Sequence, residues 1–154
     1  MNDVVIASDA DVPALVRLIN RAYEVEKLFV SGERTSAASV LQMLRSGHFL
    51  TTRDAAGEMT GCVYVDVRDG RGYFGLLSVD PARQHSGLGR RLVDAAEAHA
   101  RAAGCAAIDI RVVNLRVELP AFYERLGYTE VGVEPAKEPR ALQPFHFLRM
   151  SKAL

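Results

Sequence analysis

The residues best suited to chemistry lie within residues 76–103, where a short apolar run leads through a glycine-containing turn into a long helical pattern. Gly87 and Gly89 flank the start of the predicted helix, and Arg90 and Arg91 occupy its first turn. Because a helix N-terminus is positive, first turns ordinarily carry Asp or Glu. Cations at this end cost stability unless an anion binds there. The segment therefore predicts an anion site.

The glycines indicate which anion binds. Without a Cβ atom at positions 87 and 89, the backbone can approach phosphate oxygens closely. The chain contains no GxxxxGK[ST] motif, and Leu92 excludes GxGxxG at this point. A literal GxGxxG at Gly70, Gly72 and Gly75 lies between two predicted strands, and we interpret it as a hairpin turn. The loop before the helix therefore predicts a pyrophosphate site.

Two motifs together resemble a known family. Gln84-x-x-Gly87-x-Gly89 matches Q/R-x-x-G-x-G/A, the loop with which the GNAT superfamily of N-acetyltransferases holds the pyrophosphate of acetyl-coenzyme A (acetyl-CoA). Residues 119–128, LPAFYERLGY, resemble the family's second signature, a short helix that ends in Leu-Gly-Tyr before a strand. The resemblance implies an N-acetyltransferase with acetyl-CoA as co-substrate. It also implies a backbone cradle for the pyrophosphate formed by Gln84, Gly87, Leu88, Gly89 and Arg90.

The same resemblance implies further contacts to the cofactor. Family members splay two central parallel strands, so a backbone N–H of Leu77 or Val79 is expected to meet the thioester and the pantetheine arm. Asn114 follows the fifth predicted strand, where relatives often have an asparagine that touches the pantetheine. The insert at 115–118 lengthens the link to Tyr123 beyond the commonest pattern, so a turn-capping role for Asn114 stays open.

Tyr123 is the candidate proton donor to the departing thiolate. A phenol with a pKa of about 10 stays protonated at neutral pH. Phe122 and Leu126 are spaced as the core face of the predicted helix, which would turn Tyr123 to a neighbouring face. Taken alone, such a residue is more often a half-buried structural tyrosine. The match at FYERLGY favours the catalytic role.

The general base and the acceptor site are less defined. Many relatives place a glutamate on the fourth strand, whereas residues 73–79 contain no acid. Glu26 and His146 are candidate bases, although a glutamate or a histidine is more often structural or solvent-exposed than catalytic.

Asp109 is expected to pair with Arg111 rather than to act as a base. The acceptor is expected between residues 23–35 and 134–144. In these segments Arg34, Glu26 and Glu33 are candidates to orient a zwitterionic or cationic amine. Charged residues in loops are, however, more often simply exposed to solvent.

The elements that position these residues follow from periodicity. Helices are predicted at 11–25, 37–45, from 88 onward and at 119–126, and strands at 4–7, 49–53, 59–67, 73–79, 106–113, after 128 and at 145–150. The order β-α-α-β-β-β-α-β-α-β-β predicts an α+β fold with a mixed sheet of about seven strands and helices on both faces. The resemblance implies the GNAT fold, and we expect a single acetyltransferase domain over residues 1–154.

Composition narrows the function classes. Lys+Arg and Asp+Glu both number 19, so the chain has no net positive charge that would attract nucleic acid. Cys62 and Cys105 have no metal-type spacing with the four histidines, so we expect buried free thiols and no metal. No apolar run approaches the roughly 20 residues of a membrane span, and the polar start does not resemble a signal peptide. We therefore expect a cytoplasmic protein without membrane contact.

The leading hypothesis is acetyl transfer from acetyl-CoA, by direct attack, to a primary amine of a small molecule or amino acid. The alternatives are acetylation of a protein N-terminus or lysine, and a non-catalytic acyl-CoA sensor that keeps the fold. Retention of Tyr123 favours an enzyme, and the missing strand-four glutamate weakly favours the sensor. A homodimer through the last strands is expected by analogy only.

Overall fold

The computed structural model describes residues 3–154 and contains seven strands and four α-helices. In chain order these are β1 (Val5–Ile6), α1 (Val12–Ala22), α2 (Ala37–Ser46), β2 (His48–Arg53), β3 (Met59–Arg68), β4 (Arg71–Val79), α3 (Leu88–Ala102), β5 (Ala107–Val113), α4 (Glu118–Arg125), β6 (Thr129–Pro135) and β7 (His146–Ala153). Short 3-10 helices span Asp9–Asp11, Glu24–Leu28 and Pro81–Arg83. The predicted order of elements is confirmed.

The strands form one mixed sheet in the order β1-β2-β3-β4-β5-β7-β6. Strands β1 to β4 pair antiparallel with their neighbours, β4 and β5 pair parallel, and β7 pairs antiparallel with both β5 and β6. The turn between β3 and β4 has Asp69 and Gly70 at positive φ, so the GxGxxG sequence begins in a hairpin as predicted.

Helices cover both faces of the sheet. Val63 and Val65 of β3 belong to a core cluster with Leu92 and Val93 of α3. The alternate residues of β3 pack on the other face in a second cluster, whose helical members come from α1 and α2. The central strand β3 is therefore buried on both sides, and the predicted α+β layering is confirmed.

Two glycines let α3 approach the sheet closely. A Cβ atom on Gly72 of β4 would lie 2.8 Å from the Cβ atom of Ala100, and one on Gly61 would lie 2.8 Å from Cδ1 of Leu92. Both distances are too short for real side chains. The contact fixes α3 against β3 and β4, and with it the loop that joins β4 to the helix N-terminus.

Burial of α4 differs from the prediction. Tyr123 is the buried residue of the helix, at 7% exposure, whereas Phe122 and Leu126 are only partly buried. The ring of Tyr123 lies 6.0 Å from that of Phe74 and 5.9 Å from that of Tyr128, measured between centroids. Phe122 and Leu126 pack against the core as predicted, whereas Tyr123 is buried more deeply than predicted because Phe74 of β4 and Tyr128, just before β6, contact its ring.

Long-range polar contacts also depart from expectation. Asp109 accepts hydrogen bonds from Arg71 at 2.8 and 2.7 Å, and not from Arg111, which pairs with Glu134 at 2.8 Å. The prediction for Asp109 was wrong because β4 and β5 lie side by side and bring Arg71 to it across the sheet. These hydrogen bonds lower the pKa of Asp109.

Both cysteines are buried and free, as predicted, and burial raises the pKa of the Cys62 thiol to about 12. The Cys62 thiol is therefore not set up for nucleophilic chemistry. Within residues 3–154, no helix combines the length and the apolar character that crossing a bilayer requires.

Candidate active site

A cleft opens where β4 and β5 separate. The two strands pair only at Gly72 with Ile108 and at Tyr73 with Asp109. Toward their C-terminal ends they diverge around a cavity of about 230 Å³ that residues of both strands line. We call this space the central cavity. Its position, at the C-terminal ends of two parallel strands, is one where α/β sheets commonly bind ligands.

A β-bulge bends β4 beside the central cavity. Tyr64 and Cys62 of β3 face Gly75 and Ser78, so three steps along β4 oppose two along β3. Leu76 lies within the bulge at a φ of +51°, a conformation that costs energy for any residue with a side chain. The bulge places Leu77 on the cavity wall. This is where the sequence predicted a backbone donor, whereas Val79 pairs with Gly61 of β3.

The loop before α3 has the features that a bound diphosphate requires. Gly87 is the N-cap residue, its φ is +83°, and a Cβ atom on it would find nothing within 4 Å. No side chain caps the helix and its first turn holds no acid. The backbone N–H groups at this positive helix end are therefore open to an anion.

The arginines of this loop divide into two groups. Arg83 pairs with Asp54 at 2.9 Å, so it does not add a free charge to the loop. Within the described chain, Arg90 and Arg91 have no carboxylate within 4.0 Å. Gly89 lies next to α4, since a Cβ atom on it would be 3.6 Å from Cζ of Phe122. The loop before α3 therefore adjoins the helix that carries Tyr123.

Tyr123 lines the central cavity from α4. Within residues 3–154 its hydroxyl has no hydrogen-bond partner, whereas that of Tyr128 donates to Oε2 of Glu97 at 2.8 Å. Burial raises the pKa of Tyr123 well above its ordinary value, and the nearby phenols Tyr23 and Tyr73 act in the same direction. The phenol is therefore protonated at neutral pH and free to donate into the cavity.

A second, larger cavity of about 580 Å³ adjoins the first, and we call it the outer cavity. Its walls are the segment after α1 and the segment between β6 and β7. Backbone hydrogen bonds join these walls, from Ser31 to the carbonyl of Arg140 at 2.9 Å and from Leu142 to that of Phe29 at 2.7 Å. The two cavities share Tyr23, Glu26, Arg34, Arg111, Val113 and Phe147. The structure thus brings together the two segments between which the acceptor was predicted.

Most charges around the outer cavity are paired. Glu33 accepts from Lys27 at 3.1 Å, Glu134 pairs with Arg111 at 2.8 Å and Glu138 with Arg140 at 3.0 Å. Arg34 instead lies over the ring of Tyr23, 5.2 Å from its centroid. Among residues 3–154 it has no carboxylate within 4.0 Å. Arg34 is therefore a cation available to a ligand.

Glu26 is buried at 8% exposure and lines both cavities. Its Oε2 accepts a hydrogen bond from Nη1 of Arg116 at 2.9 Å, and Nε of Arg116 donates to Glu118 at 2.7 Å. Burial raises the pKa of Glu26, while Arg116 opposes the shift. Arg116 was not among the predicted site residues, although its position in the insert before α4 was the available signal.

The remaining candidates lie outside the two cavities. Oδ1 of Asn114 accepts the backbone N–H of His146 at 2.9 Å, so this side chain extends the pairing of β5 with β7 and leaves only its Nδ2 group unused. Phe145 and Phe147 line the outer cavity, and strand alternation turns the intervening His146 to the opposite face. The structure therefore does not bring His146 to the cavity where Tyr123 lies.

Comparison with known proteins bears on this arrangement. A family model described as an acetyltransferase (GNAT) domain matches residues 45–130. Over 99 residues, 59% of the chain, the sequence is 38% identical to a mycothiol acetyltransferase of Propionibacterium freudenreichii subsp. shermanii. Over 91 residues, 58% of the chain, it is 31% identical to the uncharacterized protein YdhI of Bacillus subtilis. The matches span 32% and 56% of these two relatives, less than two thirds of either.

The fold has close structural relatives as well. The chain superposes on the ribosomal-protein-S18-alanine N-acetyltransferase of Escherichia coli with a TM-score of 0.82, over 99% of this chain and 94% of that one. The two sequences are 19% identical over this alignment. At that identity the likeness concerns the fold alone.

Proposed function

This chain belongs to the GNAT family of acetyltransferases, and we propose that it transfers an acetyl group from acetyl-CoA to the primary amine of a small molecule, in particular of an amino acid. The observation that carries the proposal is the juxtaposition of three features. An uncapped helix N-terminus with two unpaired arginines lies beside a cleft between diverging strands, and a protonated, unpartnered tyrosine lines that cleft. We also propose that residues 1–154 act as one acetyltransferase domain.

The residues around the cleft fit acetyl-CoA. We assign the pyrophosphate to the backbone of Gln84, Gly87, Leu88, Gly89 and Arg90, because Gly87 leaves open space and the helix end is positive. We assign the pantetheine arm to backbone groups of Leu77 and Val79 beside the bulge, and to Nδ2 of Asn114. When bound, acetyl-CoA supplies the acetyl group as a thioester and leaves as a thiol.

We assign Tyr123 as the general acid. Its hydroxyl is protonated at neutral pH and points to no acceptor within the described chain, so it can donate its proton to a departing sulfur. A tyrosine kept in the core for packing alone would ordinarily give its hydroxyl a protein partner, as Tyr128 does with Glu97.

Charge and shape in the outer cavity favour an acceptor that carries a carboxylate. Within residues 3–154, Arg34 and Lys137 are the cations of this cavity without a carboxylate partner, and of these two Arg34 also lines the central cavity. Phe145, Phe147 and Tyr23 form an aromatic part of the wall. A guanidinium binds a carboxylate with two parallel hydrogen bonds, so Arg34 suits the carboxylate of an amino acid. The 38% identical relative is itself named for mycothiol, which supports an acceptor of low molecular weight.

The test is release of free coenzyme A thiol from acetyl-CoA in the presence of amino acids, their decarboxylated amines, polyamines, aminoglycosides and peptides. We expect amine-dependent release, fastest with an amino acid, and a loss of about 100-fold in Tyr123→Phe. Arg34→Gln should raise KM for the amino acid and leave KM for its decarboxylated amine unchanged. Faster release with peptides would favour protein acetylation, and cofactor binding without release by any amine would favour the acyl-CoA sensor.

A further inference from the structure

We propose that Glu26 is the general base of this acetyltransferase and that Arg116 is the positioning residue that holds its carboxylate at the junction of the two cavities. This inference rests on the proposed function. It answers a question that the sequence left open, because β4 carries no acid. Of the two candidate bases named from the sequence, the geometry points to Glu26 and away from His146.

Glu26 lies where the two cavities meet. Among the residues that line the central cavity together with Tyr123, Glu26 is the one carboxylate in the described part of the chain. The other acids of the outer cavity, Glu33, Glu134 and Glu138, are each paired with a cation there and do not line the central cavity. A base has to reach the acceptor amine close to the general acid, and Glu26 lines both the outer cavity proposed for the acceptor and the central cavity that Tyr123 lines.

The hydrogen bonding of Glu26 leaves one oxygen available. Arg116 donates to Oε2 at 2.9 Å, whereas Oε1 has no partner within residues 3–154 and is not sealed from the cavity. Arg116 is in turn fixed by Glu118 at the start of α4, through a 2.7 Å hydrogen bond. The Arg116 bridge therefore connects Glu26, on the 3-10 helix Glu24–Leu28, to the helix that carries Tyr123, and it orients Oε1.

The charges around Glu26 suit a proton acceptor. Burial raises its pKa, Arg116 and Arg34 lower it, and Glu118 raises it again; the phenol of Tyr23 also faces this space. Burial and Glu118 thus favour the protonated carboxyl and the two arginines favour the carboxylate, and the balance raises the pKa of Glu26 above that of an exposed glutamate. A base with a pKa closer to the working pH transfers protons more effectively.

The proton transfer balances without any further reactant. An N–H bond of the acceptor's ammonium breaks and an O–H bond forms at Oε1 of Glu26, which leaves a neutral amine able to attack a carbonyl carbon. Glu26 then releases this proton to solvent. After the attack the nitrogen loses a second proton, and this proton replaces the one that Tyr123 has donated to sulfur. Glu26 and Tyr123 thereby return to their starting protonation states.

The first experiment measures kcat/KM against pH for the wild type and for Glu26→Gln, with Glu24→Gln as the matched control. Glu24 lies two residues away on the same 3-10 helix, is exposed and pairs with Lys27. We expect Glu26→Gln to lose about 100-fold in kcat/KM and to lose the acid limb of the profile, with acetyl-CoA affinity within twofold of wild type. Glu24→Gln should keep the wild-type profile. Near-normal kcat/KM with an intact acid limb in Glu26→Gln would overturn the assignment.

The second experiment observes the pair without turnover. In protein labelled with ¹³C at the glutamate carboxyl groups, the resonance absent from Glu26→Gln identifies Glu26, and its NMR titration gives the midpoint directly. Because Arg116 favours the charged carboxylate, Arg116→Gln should move this midpoint, and the acid limb of kcat/KM, to higher pH. Arg116→Lys should restore part of the shift. An unchanged midpoint in Arg116→Gln would remove Arg116 from the proposal.

Failure of the proposed function and failure of the Glu26 assignment are distinguishable. If the wild type acetylates no amine, the proposed function is wrong, and the titration still reports whether Arg116 controls Glu26. If the wild type acetylates amines and Glu26→Gln does so equally well, only the present inference fails. Should Glu26→Gln not fold, Glu26→Asp serves in its place, because withdrawing the carboxylate from Arg116 should lower kcat/KM and move the acid limb.

Discussion

Two neighbouring tyrosines should respond in opposite ways to loss of the hydroxyl. Tyr123 and Tyr128 have ring centroids 5.9 Å apart, and both contact Phe74. The hydroxyl of Tyr128 donates to Oε2 of Glu97 at 2.8 Å, whereas Tyr123 lines the central cavity and its hydroxyl has no hydrogen-bond partner within residues 3–154. The substitution to phenylalanine therefore removes the same atom from two similar rings and affects a structural hydrogen bond in only one of them.

The magnitudes follow from these contacts. A hydrogen bond to a charged group is worth about 1.5–3 kcal/mol, so Tyr128→Phe should lower the free energy of unfolding by that amount. For a domain of this size the melting temperature should fall by roughly 3–12 °C. Tyr123→Phe should change the free energy of unfolding by less than about 0.5 kcal/mol. It should instead reduce kcat by about 100-fold or more, because the proton donor is gone.

Urea unfolding followed by circular dichroism, together with thiol release at saturating acetyl-CoA, measures both quantities on the same two variants. Tyr128→Phe should be less stable and retain most of the wild-type kcat, and Tyr123→Phe should show the reverse. A Tyr123→Phe variant that is as destabilised as Tyr128→Phe and keeps the wild-type kcat would refute the catalytic assignment and make Tyr123 a packing residue.

Three further predictions test the fold and the anion loop. Gly87→Ala places a Cβ atom at a φ of +83° and should lower the free energy of unfolding by about 1 kcal/mol. It should also weaken coenzyme A binding, measured by calorimetry, by at least about tenfold. Unchanged affinity would contradict the assignment of the loop. Gly72→Ala would bring Cβ atoms to 2.8 Å at Ala100 and should cost about 1–3 kcal/mol in urea unfolding, with a cost near zero arguing against close packing of α3. Burial and the neighbouring His48 lower the pKa of His99 below its usual 6.5, so the unfolded chain binds this proton more readily. The contribution of neutral His99 to the free energy of unfolding should be complete above pH 6.5 and should be lost as the pH falls below that value. In urea unfolding at several pH values, His99→Gln should not show this loss.

The elements and the glycine loop that opens α3 could be predicted because they rest on local signals. Helical periodicity, turn glycines and two arginines at a helix start are all readable within about 15 residues of sequence. The cleft itself required tertiary structure, since the bulge at Leu76 and the short pairing of β4 with β5 arise from strand register.

Side-chain partners were predicted less well because they come from distant parts of the chain. Arg116 and Glu26 are separated by 90 residues, and Arg71 and Asp109 by 38. No local pattern identifies such pairs. Glu97 shows the same limit: it is buried at 3% exposure between Tyr128 and Lys152, which lie 31 and 55 residues away along the chain.

Product analysis by mass spectrometry shows directly whether this chain transfers an acetyl group from acetyl-CoA to an amino acid. The protein is incubated with acetyl-CoA and an equimolar mixture of an aromatic amino acid, its decarboxylated amine and a short peptide, and each acetylated product is quantified over time. We predict acetyl-CoA-dependent formation of the N-acetylated amino acid ahead of the other two products, reduced about 100-fold in Tyr123→Phe. Absence of any acetylated amine, while coenzyme A binds with ordinary affinity, would contradict it.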